Sequence, residues 1–433
     1  VAIGQNAGKT NQGQDTIAIG RSAGETLQQQ FSIALGATAG YDNQNDFAVA
    51  IGNGTGRHNQ SSFAVAVGYQ TGYTSQGDSA VAVGAYAGYT SQGTSAVAVG
   101  INAGKTSQNQ YSVAVGVNAG YTSQGGSAVA VGVQAGQNYQ NRLAVALGAL
   151  AGFDNQGEFS IGIGNGGGRN NQRSHAVAIG YQAGNTNQGQ HGVAIGNQAG
   201  YTSQSDNSIA IGDSAGNSLQ GTNSVAIGKL AGEDNQGANS IAIGYQAGQT
   251  NHPANTIILN ASGSALNATI ANSFLVKPVR EVDHHTTALG IMQYNSSSSE
   301  ITYNSSITTT GEDVQIAGEL DVTGNITSGG DITSTSDASV KTNVSTIDNS
   351  LDKISQLRGV YFNRNDLEDK DKIHIGLIAQ EVETVFPEVI NNEGSLKSVA
   401  YGNLVAPLIE AIKDLRHTVS GLEARIKELE EQP

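Results

Sequence analysis

The 433-residue chain has no cysteine, no tryptophan, one methionine and five prolines, and 13% of its residues are charged. Without cysteine there is neither a disulfide staple nor a thiolate metal site. With aromatics at 5% and no tryptophan, large rings are too few to fill an ordinary globular core. Basic residues number 21 against 36 acidic ones, a formal charge of -15, and no basic stripe stands against that balance. Nucleic acid, whose capture relies on basic surface, is therefore not an expected partner. No apolar run approaches the roughly 20 residues that cross a bilayer, so membrane insertion is not expected either. The single methionine is Met292 and Val1 falls inside a repeat, so a further segment is expected upstream.

What the chain has in quantity is glycine, 58 residues of it, and the glycines are periodic. Gly4, Gly20, Gly36, Gly52, Gly68, Gly84, Gly100 and Gly116 stand sixteen apart, and the series continues through Gly244 without an insertion. A second series in the same phase runs from Gln12, Gln28, Gln44, Gln60 and Gln76 to Gln236, and His252 breaks it. One unit, Ser95 to Gln110, reads SAVAVGINAGKTSQNQ. Its Val97, Ala98 and Val99 alternate large and small, the period of a strand with two different faces. Equivalent large positions hold Val, Ile or Leu throughout, and Ala stands between them except at Gly162.

Sixteen residues cannot close a core alone. The expected fold is therefore mainly β: a parallel solenoid over residues 1–260, with each strand paired to the coils before and after it. Buried aliphatics at about 1.5 to 3 kcal/mol each would supply most of the cohesion. Ala103-Gly104 suits a tight corner because glycine accepts positive φ, and the Thr-Ser-Gln stretches suit a second turn. The glutamines are either polar turn residues or a stacked amide ladder. Tyr41, Tyr73, Tyr89, Tyr121, Phe153 and Tyr201, interspersed with Lys9, Arg57, Lys105 and Arg169, either pack over the neighbouring coil's corner or bind glycans. Carboxylates are scattered in this region and no catalytic pair recurs.

This strand motif is similar to the head repeats of trimeric autotransporter adhesins of the YadA type. That resemblance, over about 260 residues, implies a left-handed β-roll associating as a trimer. The coil here is slightly longer than in those heads, and the C-terminal residues do not read as the membrane barrel those adhesins carry.

Residues 261–335 lose the period and read as short strands between Ser- and Asn-rich turns. The segment 314–332, VQIAGELDVTGNITSGGDI, suits a thin β-prism of three intertwined chains and is similar in rhythm to viral fibre proteins. Asp283-His284-His285 is a group of metal-ligand types, but neighbouring residues of a strand point to opposite faces and cannot converge. No metal or cofactor is expected.

From Ser336 onward the composition becomes that of a charged folded domain, 336–433. Residues 351–357 and 379–385 read as helices, 359–363 and 373–378 as strands, and Pro387 stops the second helix. A last helix over about 402–431 carries Leu408, Leu415, Leu422 and Leu429 alternating with Ile412, Val419 and Ile426, a coiled-coil seam.

The stretches SDASVKTNVSTIDNSLDKISQLRGVYF, HIGLIAQEVETVFPEVI and SVAYGNLVAPLIEAIKDL closely resemble the intramolecular chaperone domain of endosialidase-type phage tail fibres. That resemblance implies a domain that trimerises, helps the upstream β-structure to fold, and cuts itself off before a serine with a Ser-Lys dyad. Ser336 matches the serine and Lys341 its partner, so the cut would fall between Thr335 and Ser336. Family members often have Arg and Leu where this chain has Ser339 and Val340.

A serine hydroxyl attacking that linkage must lose its proton, and a lysine accepts it only where burial keeps the amine neutral. Val340, Val344 and Ile347 are the candidates for that apolar enclosure. A separation of five residues aligns the pair on neither a helix nor a strand, so a turn or a neighbouring chain must supply the geometry. The competing reading has Ser336 or Asp337 capping a helix while Lys341 stays solvated. The expected whole is a homotrimeric viral fibre, joined to a virion by the upstream segment and directed at a host receptor or glycan. A cellular surface adhesin is the alternative.

Overall fold

The computed structural model of the chain describes residues 1–279, 289–295, 297–310, 313–316, 320, 322, 326–329, 331–366, 369–392 and 396–432. They form two compact units, Val1–Gln315 and Ile316–Pro433.

In the first unit most coils supply a three-residue strand to one long parallel sheet and a second short strand to an opposing one, which is interrupted at Thr202, where only single bridges form. Val97–Val99 lies between Val81–Val83 and Val113–Val115 in strict register, with Val97 opposite Val81 and Val113. Thr106–Gln108 pairs likewise with Thr90–Gln92 and Thr122–Gln124 in the opposing sheet. Eighteen strands of the long sheet stack among the described residues, bounding seventeen turns. At about 4.8 Å per rung that is roughly 80 Å of solenoid. Coils are joined in both directions: Val97 N–H donates to Ser112 O of the following coil at 2.9 Å, while Gly100 N–H donates to Val83 O of the preceding one at 2.8 Å.

The alternation of the strand holds, but its polarity is the reverse of the expected one. Ala98 and its equivalents are fully buried, whereas Val97, Val99 and their equivalents are only half-buried or exposed. The aliphatic ladders lie on the outer face of the sheet. The reason is the thinness of the coil. A methyl built on Gly104 would lie 2.5 Å from Gln108 Oε1, and one on Gly120 would lie 3.2 Å from Ala114 Cβ, so the interior has room for an alanine methyl and nothing larger on that wall. Gly104, at φ +52°, is also in the left-handed region that glycine adopts at no steric cost. At Gly100, φ +128°, a Cβ would meet Gly116 O at 2.6 Å, which fixes glycine just after the Val-Ala-Val strand of each regular coil.

The other interior wall is the glutamine series. Gln108 is buried, and its Nε2 donates to Val97 O across the coil at 2.8 Å and to Gln124 Oε1 in the next coil at 3.1 Å. Its own Oε1 accepts from Gln92 Nε2 at 3.2 Å. Most of these amides thus tie their own coil shut and hand a hydrogen bond to the next, with breaks at Gln44 and Gln92, whose Oε1 atoms have no partner, so the core is alanine methyl and stacked carboxamide. Of the two readings of the glutamines, the structure has the ladder.

The parallel sheet does not stop where the period does. Ile257–Asn260 pairs with Ile241–Gly244, and Phe274–Lys277 adds one more rung at a spacing of seventeen. Ile258 enlarges the buried alanine core there, with Leu266 and Leu275 packed against it. An antiparallel pair, Leu289–Asn295 with Glu300–Thr310, follows. The stretch expected to form a prism lies partly outside the described residues; its described part begins within the strand Asp313–Ile316.

The second unit contains three α-helices among the described residues: α1 (Ser350–Ile354), α2 (Ala379–Val385) and α3 (Val405–Glu430). Val382, Phe386, Val389 and Leu404 form its core, with Ile347, Ile354, Leu357 and Leu377 packed around them. Val360–Asn363 pairs antiparallel with Ile373–Gly376. The Leu377 N–H donates to the Tyr401 hydroxyl at 2.9 Å, tying that hairpin to the turn before α3. The mainly β architecture, the sixteen-residue solenoid and the C-terminal helix agree with the fold class read from the sequence.

Candidate functional site

The residues on either side of the expected cut lie in exposed chain without regular structure until Ala338–Val340 winds into a single 3-10 turn. Asp337 starts that turn with extended backbone, φ -66° and ψ 139°, and its Oδ1 accepts the Ser339 N–H at 2.7 Å. Lys341 ends it, its N–H donating to Ala338 O at 3.2 Å. The reversal brings two side chains five residues apart into contact: Lys341 Nζ donates to Ser336 Oγ at 2.6 Å. The turn that joins the two side chains is therefore local: Asp337 caps it, and Lys341, exposed to solvent, reaches Ser336. The Asp337 carboxyl is held below the usual carboxylate range, first by the Ser339 hydroxyl and then by the Ser339 backbone N–H. The Asp337–Ser339 pair was legible as an Asx turn, an acidic side chain taking the N–H two residues on.

The apolar enclosure expected around Lys341 is not found in the single chain. Val340 is 68% exposed and Val344 81% exposed, and only Ile347 packs toward the core of the unit. Two short segments of 3-10 turn and coil cannot bury a valine without another element over them. As it stands, this arrangement places Ser336 Oγ and Lys341 Nζ within hydrogen-bond reach but leaves both in water.

The seam of α3 is equally unpartnered. Leu408, Ile412, Leu415, Val419, Leu422, Ile426 and Leu429 are all exposed along one helix of 26 residues.

On the solenoid, the corner residues pack on one another. The Arg57 guanidinium lies 5.5 Å from the Tyr41 ring centroid and 5.3 Å from that of Tyr73, and Tyr73 stacks on Tyr89 at 4.9 Å. Lys105 covers Tyr121 at 5.1 Å and Arg169 covers Phe153 at 5.7 Å. These alternating cations and rings form a column over the corner, a geometry worth about 0.5 to 1 kcal/mol per contact. A polar groove of about 810 Å³ lies farther along, where Asn155, Asn171 and Asn187 chain their side-chain amides at 3.1 Å beside Arg173, Ser205 and Asp206.

The Gln slot of the last regular coil holds His252, which is 1% exposed, with no hydrogen-bond partner at either ring nitrogen. Burial pushes it down to about 4, offset in part by the Thr256 backbone. The break in the glutamine series was visible in the sequence; that the ring would be sealed inside the coil was not.

Asp283, His284 and His285 lie outside the described residues. Among the described residues no three His, Asp or Glu side chains gather as metal ligands, and no helix is long and apolar enough to cross a membrane.

No curated protein matches the chain. A family match is confined to the second unit and begins at the serine that Lys341 contacts: residues 336–391 match the model of the family described as chaperone of endosialidase, and it is to that family that this stretch of the chain is similar.

Proposed function

We propose that the chain is a homotrimeric viral fibre, of phage-tail type, whose residues 336–433 are an intramolecular chaperone that sets register and then cuts itself off before Ser336. In this reading residues 1–260 are the repeat body, 261–335 a β-prism connector, and the fibre serves host attachment at a virion surface. The observation that carries it is the coincidence of the family match, which starts at Ser336, with the Lys341–Ser336 contact.

The chemistry assigned to the pair balances as follows. The Ser336 Oγ attacks the Thr335 carbonyl carbon while its proton passes to a neutral Lys341 amine. The Thr335–Ser336 C–N bond breaks as the leaving nitrogen takes a proton, leaving an ester that water hydrolyses to a new carboxylate and the free hydroxyl. A neutral amine requires exclusion of water. Neighbouring chains packed against Val340, Val344 and the α3 seam would supply it, so cleavage follows assembly.

Both units offer surface for that assembly. The outer strand face of the solenoid is a continuous aliphatic strip, far longer than the isolated apolar residues of an ordinary surface, and a second copy of the same strip is its natural cover. Near-identical coils give such a strip poor register, because a slip by one coil forfeits contacts only at an end. A C-terminal clamp supplies the register, and its removal leaves a persistence that is kinetic. The Asn-lined groove is the place on the solenoid best suited to a hydroxyl-rich receptor glycan.

The test is to express the chain and Ser336→Ala and compare them by denaturing gel, intact mass and light scattering. The expected result is a trimer in both cases, with a fragment beginning at Ser336 released only from the parent. A parent that never releases it refutes the self-cleavage, and monomers in both samples refute the chaperone.

A further inference from the structure

We infer that Asp337 is a positioning residue for the self-cleavage, holding Lys341 on Ser336 through its cap on the intervening turn. The inference rests on the Ser336–Lys341 reading above and goes beyond it by naming what fixes the pair.

The argument starts from chain geometry. Six residues of free backbone from Ser336 to Lys341 sample many conformations, and few bring an ammonium at the end of four methylenes to a particular hydroxyl. In the structure the path is shortened by one 3-10 turn of three residues, Ala338–Val340. So short a turn has almost no hydrogen bonding of its own: the Val340 N–H reaches Asp337 O at 3.4 Å and the Lys341 N–H reaches Ala338 O at 3.2 Å. Its closest hydrogen bond is the cap, Ser339 N–H to Asp337 Oδ1 at 2.7 Å. Ser339 also holds the Asp337 carboxyl below its ordinary range. None of the three turn residues is buried, so packing does not hold the turn in place of the cap. Asp337 touches neither Ser336 Oγ nor Lys341 Nζ; it acts on them only through the turn. Ser339 is the position at which the chain departs from the Arg common in the similar family, and the cap uses its backbone N–H.

Capping rank gives a readout that a charge effect would not. Asn and Ser accept an N–H at this position about as well as Asp, and Ala does not. Full-length chains carrying Asp337→Ala, Asp337→Asn, Asp337→Ser and Ser339→Ala are to be synthesised in a cell-free system, and the first-order appearance of the fragment beginning at Ser336 followed on assembled trimer. Expected is a roughly tenfold slower cut for Asp337→Ala, with Asp337→Asn and Asp337→Ser within about twofold of the parent, the spread that a lost cap of this kind produces. Ser339→Ala, which keeps the backbone donor, is expected within about twofold of the parent. A cut by Asp337→Ala at the parent's rate overturns the inference while leaving the dyad standing. So does Asp337→Asn as slow as Asp337→Ala, since charge and not the cap would then be acting. A parent that is itself never cut overturns the dyad and this inference together. Should Asp337→Ala not assemble, the comparison of Asn and Ser with the parent carries the test, and a tenfold loss in both overturns it.

Discussion

Gln108→Glu is expected to destabilise the solenoid by several kcal/mol at neutral pH, although it changes one atom. Gln108 Nε2 faces the Val97 carbonyl at 2.8 Å, the Ser112 carbonyl at 3.5 Å and Gln124 Oε1 at 3.1 Å. All three are acceptors. A carboxylate oxygen in place of that nitrogen faces them with no proton and with a charge, in a position buried to 1% exposure. Breaking a buried polar arrangement in this way costs about 3 to 5 kcal/mol. The sign of the pH dependence follows. The substituted carboxyl has its pKa raised by burial and by its acceptor neighbours, so the penalty is full above that raised value and shrinks as pH falls and a single O–H donor returns. Denaturant unfolding at pH 7 and pH 5, with hydrogen exchange to localise the loss to the coils around residue 108, measures it. A variant as stable as the parent at pH 7 would mean that the amide ladder is decoration on an alanine core.

His252→Gln should do the opposite. The native imidazole sits in the glutamine slot with both nitrogens unpartnered, where Gln236 Nε2 above it has no side-chain amide to hand its hydrogen bond to. Restoring the amide gives Gln236 that acceptor and lets the new side chain tie its coil through Ile241 O and Thr256 O, as Gln236 ties its own through Val225 O and Ser240 O.

The larger effect is in acid. His252 is depressed to about 4 from the ordinary value of 6.5 by burial. Above 6.5 the ring is neutral in both folded and unfolded chains, and its titration contributes nothing. Between 6.5 and 4 the unfolded chain binds a proton that the folded chain refuses, so stability falls, and below 4 the loss is complete at about 3 kcal/mol. Other groups titrate in the same range, so the quantity to measure is the difference between parent and variant. It should grow from pH 6.5 to pH 4 and then level off. A difference that stays constant across that range would mean that the ring is not sealed from water.

Much of this was readable from residue order alone. The period, the strand at Val97–Val99 and the glycines at Gly100 and Gly104 follow from spacing and from which conformations glycine alone accepts. Which face of the strand points inward did not follow, because alternation has two solutions and large aliphatics are the usual choice for a core. The signal was present in the constancy of the small residue. Within this one chain the large positions exchange Val, Ile and Leu freely, as in Val145 and Leu147 against Ile161 and Ile163, while the position between them stays Ala or Gly. A site that tolerates only a methyl is enclosed, and one that accepts three shapes has slack. Gly162 fits the rule: a Cβ there would lie 2.6 Å from Gly167 O, on a wall where glycine has replaced the usual alanine.

At the candidate site, spacing predicted that a turn was needed between Ser336 and Lys341 but could not supply its cap. The enclosure of Lys341 was not legible, because Val340 and Val344 are apolar by composition, exposed in the single chain, and composition does not say whether another chain covers them.

The wiring between coils has a consequence for length. In the regular coils each backbone bond that joins one coil to another spans fifteen or seventeen residues, as from Val97 to Ser112 and from Gly100 to Val83, and each glutamine ladder bond spans sixteen. No contact in the regular coils therefore depends on how many of them precede or follow. Removing sixteen residues from the middle leaves every surviving neighbour correct, whereas removing one shifts an amide out of its slot and a glycine off its corner. The solenoid is a counted object: it lengthens or shortens in whole coils, and recombination between any two of its repeats that keeps the phase yields another working ruler of different reach.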